Sequence, residues 1–267
     1  MWEDRPWNRR RFIAGTGALT GLGFFIGKVE AALSPASAQT IQLKHPELPW
    51  PYKKLDPEVV RRRGYEGFYR TENGYHCCAG AAYGLLGMLQ ELLGYPFTMV
   101  PIDMFRYGLA GGAQWGTLCG AINGVAPTVG LVVDRDTVLK IVSEVMGWYT
   151  TTPLPTRLHD SYAKFKGQAQ VIPTLPLCHV TVSTWCKAAN ARVNSPERDD
   201  LCAKITGDVC AKTAELLNAH LEGKFVPVYK PSETAAECMG CHFGEETLLD
   251  DVMAKMNCVS CHEPHAL

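Results

Sequence analysis

SPERDDLCAKITGDVCAKTAELLNAHLEG, residues 195–223, is the stretch that decides the fold class. Ser195 followed by Pro196 is a helix start: a serine side chain caps the free amides, and the fixed φ of proline suits the first turn. Glu197, Asp199 and Asp200 put negative charge at the positive end of the helix dipole. Gly223 marks the stop, so the segment reads as one long helix to about Leu221. Leu201, Ile205, Val209 and Leu216 form an apolar stripe along it. Cys202 and His220 lie beside the stripe, and Cys210 sits near Leu217 and Leu221. Both cysteines can therefore face inward.

On the N-terminal side the same style continues. Tyr75 to Gly94 reads as a buried helix, with Leu85, Met88, Leu89 and Leu92 at three- and four-residue steps. Its small residues Ala79, Gly80, Ala81 and Gly84 would let another helix, or a flat cofactor, come close to the backbone. Gly111 to Gly130 reads in the same style as a second buried helix, its frequent glycines compensated by close packing, with Cys119 inside it. Arg135 to Trp148 is an amphipathic helix, Pro153 and Pro155 open a loop, and a further segment runs from Cys178 and His179 to Cys186. Gln39 to Pro57 is proline-rich and reads as an extended arm. The chain is therefore mainly α, with a cysteine-bearing helical domain over residues 39–229.

On the C-terminal side, Pro227 and Pro231 break the chain before a short tail, residues 230–267. The tail holds Cys238-Met-Gly-Cys241-His242 and Cys258-Val-Ser-Cys261-His262. Each is a C-x-x-C-H, the pattern of covalent c-type haem attachment. Two thiols three residues apart reach the two vinyl groups of one porphyrin, and the next histidine is placed under the iron as its proximal ligand. The four cysteines also have zinc-ribbon spacing. Zinc would leave His242 and His262 without a purpose, and the same surplus twice argues for two haems c. So few residues cannot cover two porphyrins, so the haems must pack on the helical domain, on a second subunit or on each other, and exposed apolar plates invite a homodimer.

Haem c is assembled outside the cytoplasm, and the N-terminus reads as an export signal. Arg9-Arg10-Arg11-Phe12-Ile13 precedes an uncharged, Gly-rich stretch to Gly27, and Ala36-Ser37-Ala38 offers a cleavage site. Residues 1–38 resemble a twin-arginine signal peptide, which implies a periplasmic protein. The apolar run is short for a membrane span, so membrane attachment follows only if the signal is retained as an anchor.

With 26 basic and 27 acidic residues the formal net charge is −1, which gives no reason to expect nucleic acid as a partner. Of the 11 cysteines, four belong to the tail motifs. Cys77, Cys78, Cys119, Cys178, Cys186, Cys202 and Cys210 are left, an odd number that disulfides alone cannot consume. Two readings stand: disulfides plus a buried free thiol, or an iron–sulfur cluster held by four thiolates. The twin-arginine route carries folded cargo and suits a cluster inserted before export.

The sixth haem ligands decide between a carrier and a catalyst, because an open iron allows ligand chemistry. His179, beside Cys178, and His76, beside Cys77, are the preferred distal candidates. His265 cannot reach the far side of its own haem but can reach the other one, and His45 lies in the arm. Met88, Met99, Met104 and Met256 are weaker, since methionine is usually a core filler.

The two tail motifs on a cysteine-bearing helical body resemble the split-Soret family of dihaem cytochromes c from sulfate-reducing bacteria. The body is similar to the family named for a C-GCAxxG-C-C pattern, through Cys78, the string Cys119-Gly-Ala-Ile-Asn-Gly124, Cys186 or Cys178, and Cys202. The central string reads CGAxxG in place of GCAxxG. The resemblance implies a homodimer with four clustered bis-His haems, an axial histidine crossing between subunits, and an iron–sulfur site, 2Fe–2S or another type, among Cys78, Cys119, Cys178, Cys186 and Cys202. The leading expectation is a periplasmic electron relay between redox proteins, without catalysis of its own. The alternatives are a haem oxidoreductase acting on a small molecule and a zinc-ribbon binding module.

Overall fold

The computed structural model describes residues 46–253 and 255–265. The export signal read at 1–38, the start of the arm and His45 lie outside them. Seven α-helices form among the described residues: α1 Pro57–Phe68, α2 Cys77–Leu93, α3 Gly120–Val132, α4 Arg135–Thr151, α5 Cys178–Ala189, α6 Pro196–Leu221 and α7 Glu233–His242. No strand forms there; Leu118 with Leu177 and Leu154 with Val171 make isolated bridges. No described helix is long and apolar enough to cross a membrane.

Helix α6 is the centre of the bundle and spans the residues expected from its sequence, with Ser195 accepting from the Arg198 amide. It packs against α1, α2, α3 and α4. Leu201, Ile205 and Val209 of its stripe are buried, as is Cys210. Helices α1, α2 and α6 meet backbone to backbone. A methyl on Gly64 would lie 2.9 Å from the Cys210 sulfur and 3.1 Å from the Gly207 Cα; one on Gly84 would lie 2.8 Å from the Gly64 Cα. The small residues of α2 thus admit a neighbouring helix, α1.

Helix α1 is the element that hydrophobic periodicity does not reveal. Its buried positions include Arg61, Gly64 and Gly67 beside Val60, Tyr65 and Phe68, so its inner face is poor in aliphatic side chains. Arg61 pairs with Asp208 of α6, and both are buried. Asp208 also accepts from His159 Nε2 at 2.9 Å and from the Thr156 amide at 2.8 Å. Two turns earlier on α6 Asp200, fully buried, accepts from the hydroxyls of Tyr65 at 2.6 Å and Tyr69 at 2.9 Å and from the Phe165 amide at 3.1 Å. Lys204 completes that group 3.3 Å from Asp200. These two carboxylates pin the connection 152–177 to the bundle, which is long for a segment with little regular structure.

Gly111 to Gly130 does not form one helix. Ala110, Gly111, Gly112, Ala113, Gln114 and Gly116 all have positive φ, a conformation no right-handed helix can contain. The segment is a tight coil that leads into α3 at Gly120.

Burial pushes the Asp208 carboxyl up, but the bonds from His159 and Thr156 and the Arg61 charge outweigh it and hold the carboxyl below its usual value. A depressed carboxyl contributes its stability fully above the unfolded-state value, roughly pH 4, and loses it as pH falls through the native value. Acid unfolding of Asp208→Asn should accordingly show a shallower pH dependence below about pH 4 than the parent. Arg61→Met, which leaves Asp208 buried without its cation, should cost about 3–5 kcal/mol in denaturant unfolding.

Candidate functional site

Three helix starts and the first turns of α6 converge on one group of thiols. Cys77 and Cys78 open α2, Cys119 is the N-cap residue of α3, and Cys178 opens α5. Backbone bonds lock these starts together: the Cys119 amide donates to the Pro176 carbonyl at 2.8 Å, and the Cys178 amide to the Thr117 carbonyl at 2.7 Å. Cys202 joins from α6, held by Arg198 Nη1 at 3.9 Å from its sulfur.

The glycines of Cys119-Gly-Ala-Ile-Asn-Gly124 explain the spacing of that string. A methyl on Gly120 would overlap the Cys77 sulfur, and one on Gly124 would overlap the Cys78 carbonyl oxygen. Both must be glycine for α3 to lie against the start of α2. Gly108, before the coil, is filled in the same way by the Cys78 side chain.

The metal-free thiols are protonated. Burial, followed by the neighbouring Cys119, pushes Cys77 and Cys78 up to about 12. Cys202 is also pushed up to about 12, by burial and then by Cys77. Cys178 is raised by burial and by Cys119, Cys202 and Cys77. Cys119 is raised by burial, partly countered by the Tyr149 hydroxyl and the Ala121 and Ile122 amides. Free helix amides and dipoles favour sulfur anions there, so a soft cation would turn these thiols into ligands. Among the described residues, however, no three His, Cys, Asp or Glu side chains are focused tightly enough to hold a metal ion. The donors are of the right kind for an iron–sulfur group but not arranged around one.

Of the iron–sulfur candidates, Cys78, Cys119, Cys178 and Cys202 belong to this group. Cys186 lies further along α5 and interacts with Arg198. Cys77 is a member that the sequence did not single out; its adjacency to Cys78 hid it, because only one of two neighbouring residues is ordinarily expected to face inward. Cys210 sits apart, 3.4 Å from the Ala81 carbonyl, at the α1–α2–α6 contact.

The tail presents its motifs at the surface. Cys238, Cys241 and His242 fall in the last turns of α7 at i, i+3 and i+4, on one face. In the second motif the Cys261 and His262 amides both donate to the Cys258 carbonyl, at 3.1 and 3.0 Å, which closes a similar turn. Cys258 and Cys238 interact directly, so the first cysteines of the two motifs are neighbours. Asp251 lies 2.8 Å from His242 Nδ1 and orients the ring, leaving Nε2 for an iron. Leu248, Leu249 and Met253 are exposed around the motifs, Met253 at 93%. This donor set fits two haems c: thiols on one face of a turn, a histidine held at Nδ1, and apolar side chains without cover.

The distal candidates are spread out. The His265 ring lies 6.0 Å from the His242 ring, which is the motif other than its own. His76 is half-buried against Phe68, at 5.6 Å, and burial lowers its pKa despite Asp199. His179 is exposed on α5, 3.4 Å from the Ser183 hydroxyl.

Residues 75–216, which contain the thiol group, match the family described as "Putative redox-active protein (C_GCAxxG_C_C)". Over 254 residues the chain is 30% identical to split-Soret cytochrome c of Desulfovibrio desulfuricans, covering 94% of this chain and 90% of the relative. The solved structure of a split-Soret cytochrome c from that organism, described as having a novel iron centre, superposes with a TM-score of 0.75 at 29% identity, over 81% of this chain and 91% of the other. The chain belongs to the split-Soret cytochrome c family, and its mainly helical fold is that of the family.

Two outcomes follow. Gly120→Ala should displace Cys77 and cost about 1–3 kcal/mol in thermal unfolding. In metal-free native protein at pH 8, alkylation of Cys77, Cys78 and Cys202 should be much slower than in urea, because burial keeps each thiol covered and pushes it up to about 12. Equal rates in the two states would contradict the burial argument.

Proposed function

We propose that this protein is a periplasmic dihaem c-type cytochrome that relays single electrons between redox proteins and works as a homodimer. Membership of the split-Soret family supports a redox, electron-transfer role. The observation that carries the finer reading is the pair of surface turns at 238–242 and 258–262, each with two cysteines and a histidine on one side. When bound, haem iron supplies the one-electron change. The chain supplies position: Cys238 with Cys241, and Cys258 with Cys261, would hold the two porphyrins, and His242 and His262 would be the proximal ligands. Asp251, through its bond to His242 Nδ1, raises the basicity of that ligand and so favours the oxidised state.

The neighbouring first cysteines keep the two attachment sites together, which suits electron exchange between haems. The exposed apolar residues of the tail support a dimer in which a second subunit supplies cover and distal histidines, with His179, His76, His265 and His45 as candidates. An iron centre is described in the related structure; the thiols at the helix starts are donors of the right kind for one but are not gathered around a single point.

The carrier reading predicts two low-spin haems whose reduced spectrum is unchanged by carbon monoxide. A CO-induced shift in either haem would assign an open iron to it and favour a catalytic role. Asp251→Asn should move the potential of one haem upward and leave the other in place in a redox titration; unchanged potentials would remove Asp251 from the proximal arrangement.

A further inference from the structure

The reading of the tail as haem-bearing raises the question of what holds it to the body. Little of it is buried: in α7 only Ala235 is. One small seat on α4 is different. Glu144 is 6% exposed and forms no ion pair among the described residues; one of its oxygens accepts from the backbone amides of both Val228 and Tyr229, each at 2.7 Å. Two amide donors on one carboxylate oxygen are charge-assisted bonds, stronger than neutral ones.

One turn further on, Gly147 gives the Tyr229 ring its place. A methyl there would fall inside the ring, so the ring lies directly on the helix backbone. Glycine within a helix costs about 1 kcal/mol relative to alanine, and this contact is the compensation. The same tyrosine reaches forward: its hydroxyl lies 3.4 Å from the Lys255 carbonyl, and Lys255 Nζ lies 3.3 Å from the Ser143 hydroxyl. Lys255 stands three residues before Cys258. Ser143, Glu144 and Gly147 therefore hold both the entry to the tail and the segment between its two haem motifs.

We infer that Tyr229, seated on Glu144 and Gly147 of α4, is the positioning residue that fixes the haem-bearing tail on the helical body. It touches no haem-attaching residue; it acts by setting where Lys255 and the second motif sit. The same helix carries Tyr149, whose hydroxyl is shared between Thr181, at 2.8 Å, and the Cys119 sulfur. The seat therefore also sets the placement of the tail relative to the thiol group.

The inference rests on the haem reading for its functional half, and the experiment separates the two. Full-length protein, matured with haem, is compared with Tyr229→Ala, Gly147→Ala and the exposed control Val226→Ser. Haem content is measured by pyridine haemochrome, tail attachment by limited trypsin cleavage at Lys224 and Lys255, and haem placement by Soret circular dichroism. Tyr229→Ala removes the ring without crowding α4, so it remains informative if Gly147→Ala misfolds. The expected result is at least a tenfold gain in cleavage rate and an altered Soret dichroism for Tyr229→Ala, with two haems retained, the melting of the body unchanged and the control like the parent. Cleavage and dichroism unchanged in Tyr229→Ala would overturn the inference. Parent protein without haem would overturn the haem reading instead, and the cleavage arm would still decide whether Tyr229 anchors the tail.

Discussion

Backbone-to-backbone contact around α2 is the constraint on which the rest of the structure depends. Gly64, Gly84 and Gly207 let α1, α2 and α6 meet without side chains between them, and Gly120 and Gly124 let α3 do the same at the start of α2. Any other residue at Gly120 or Gly124 would overlap Cys77 or the Cys78 backbone. Because these approaches are close, three helix starts reach one point, and the thiols they carry become neighbours. The gathering of thiols is thus a result of helix packing and needs no disulfide: the described cysteines are all free.

Electrostatics follows from the same packing. Burial alone would keep Cys77, Cys78, Cys119, Cys178 and Cys202 protonated and inert. The helix starts that supply them also supply free amides and positive dipole ends, so the site is costly for thiolates without a cation and receptive to them with one. The tail has the opposite character. Its cysteines and histidines are at the surface, surrounded by exposed apolar side chains, the setting that the proposed haem attachment calls for.

The proposed haem attachment is read locally, from five consecutive residues, and so depends on no long-range contact. Helices α2, α4 and α6 were legible too, since each has its own apolar periodicity or cap. Helix α1 was not, because its buried face is built from glycines and an arginine whose partner, Asp208, lies 147 residues away. The coil before α3 was hidden for a different reason: glycine and alanine there read as close helix packing, and only the run of positive φ shows a turn. Among the thiols, which ones gather depended on helix crossing, which sequence spacing does not carry; Cys77 came in and Cys186 stayed at the edge. The seat of Tyr229 on Gly147 is likewise a long-range contact with no local signature.

The central claim is that the tail carries two covalently attached haems on an otherwise helical, thiol-bearing body. Intact-mass spectrometry of the full-length protein, expressed with haem-maturation machinery and denatured before measurement, tests it most directly. The account predicts a mass raised by two haem groups, falling to one when Cys258 and Cys261 are both replaced by alanine. An unmodified mass would contradict it.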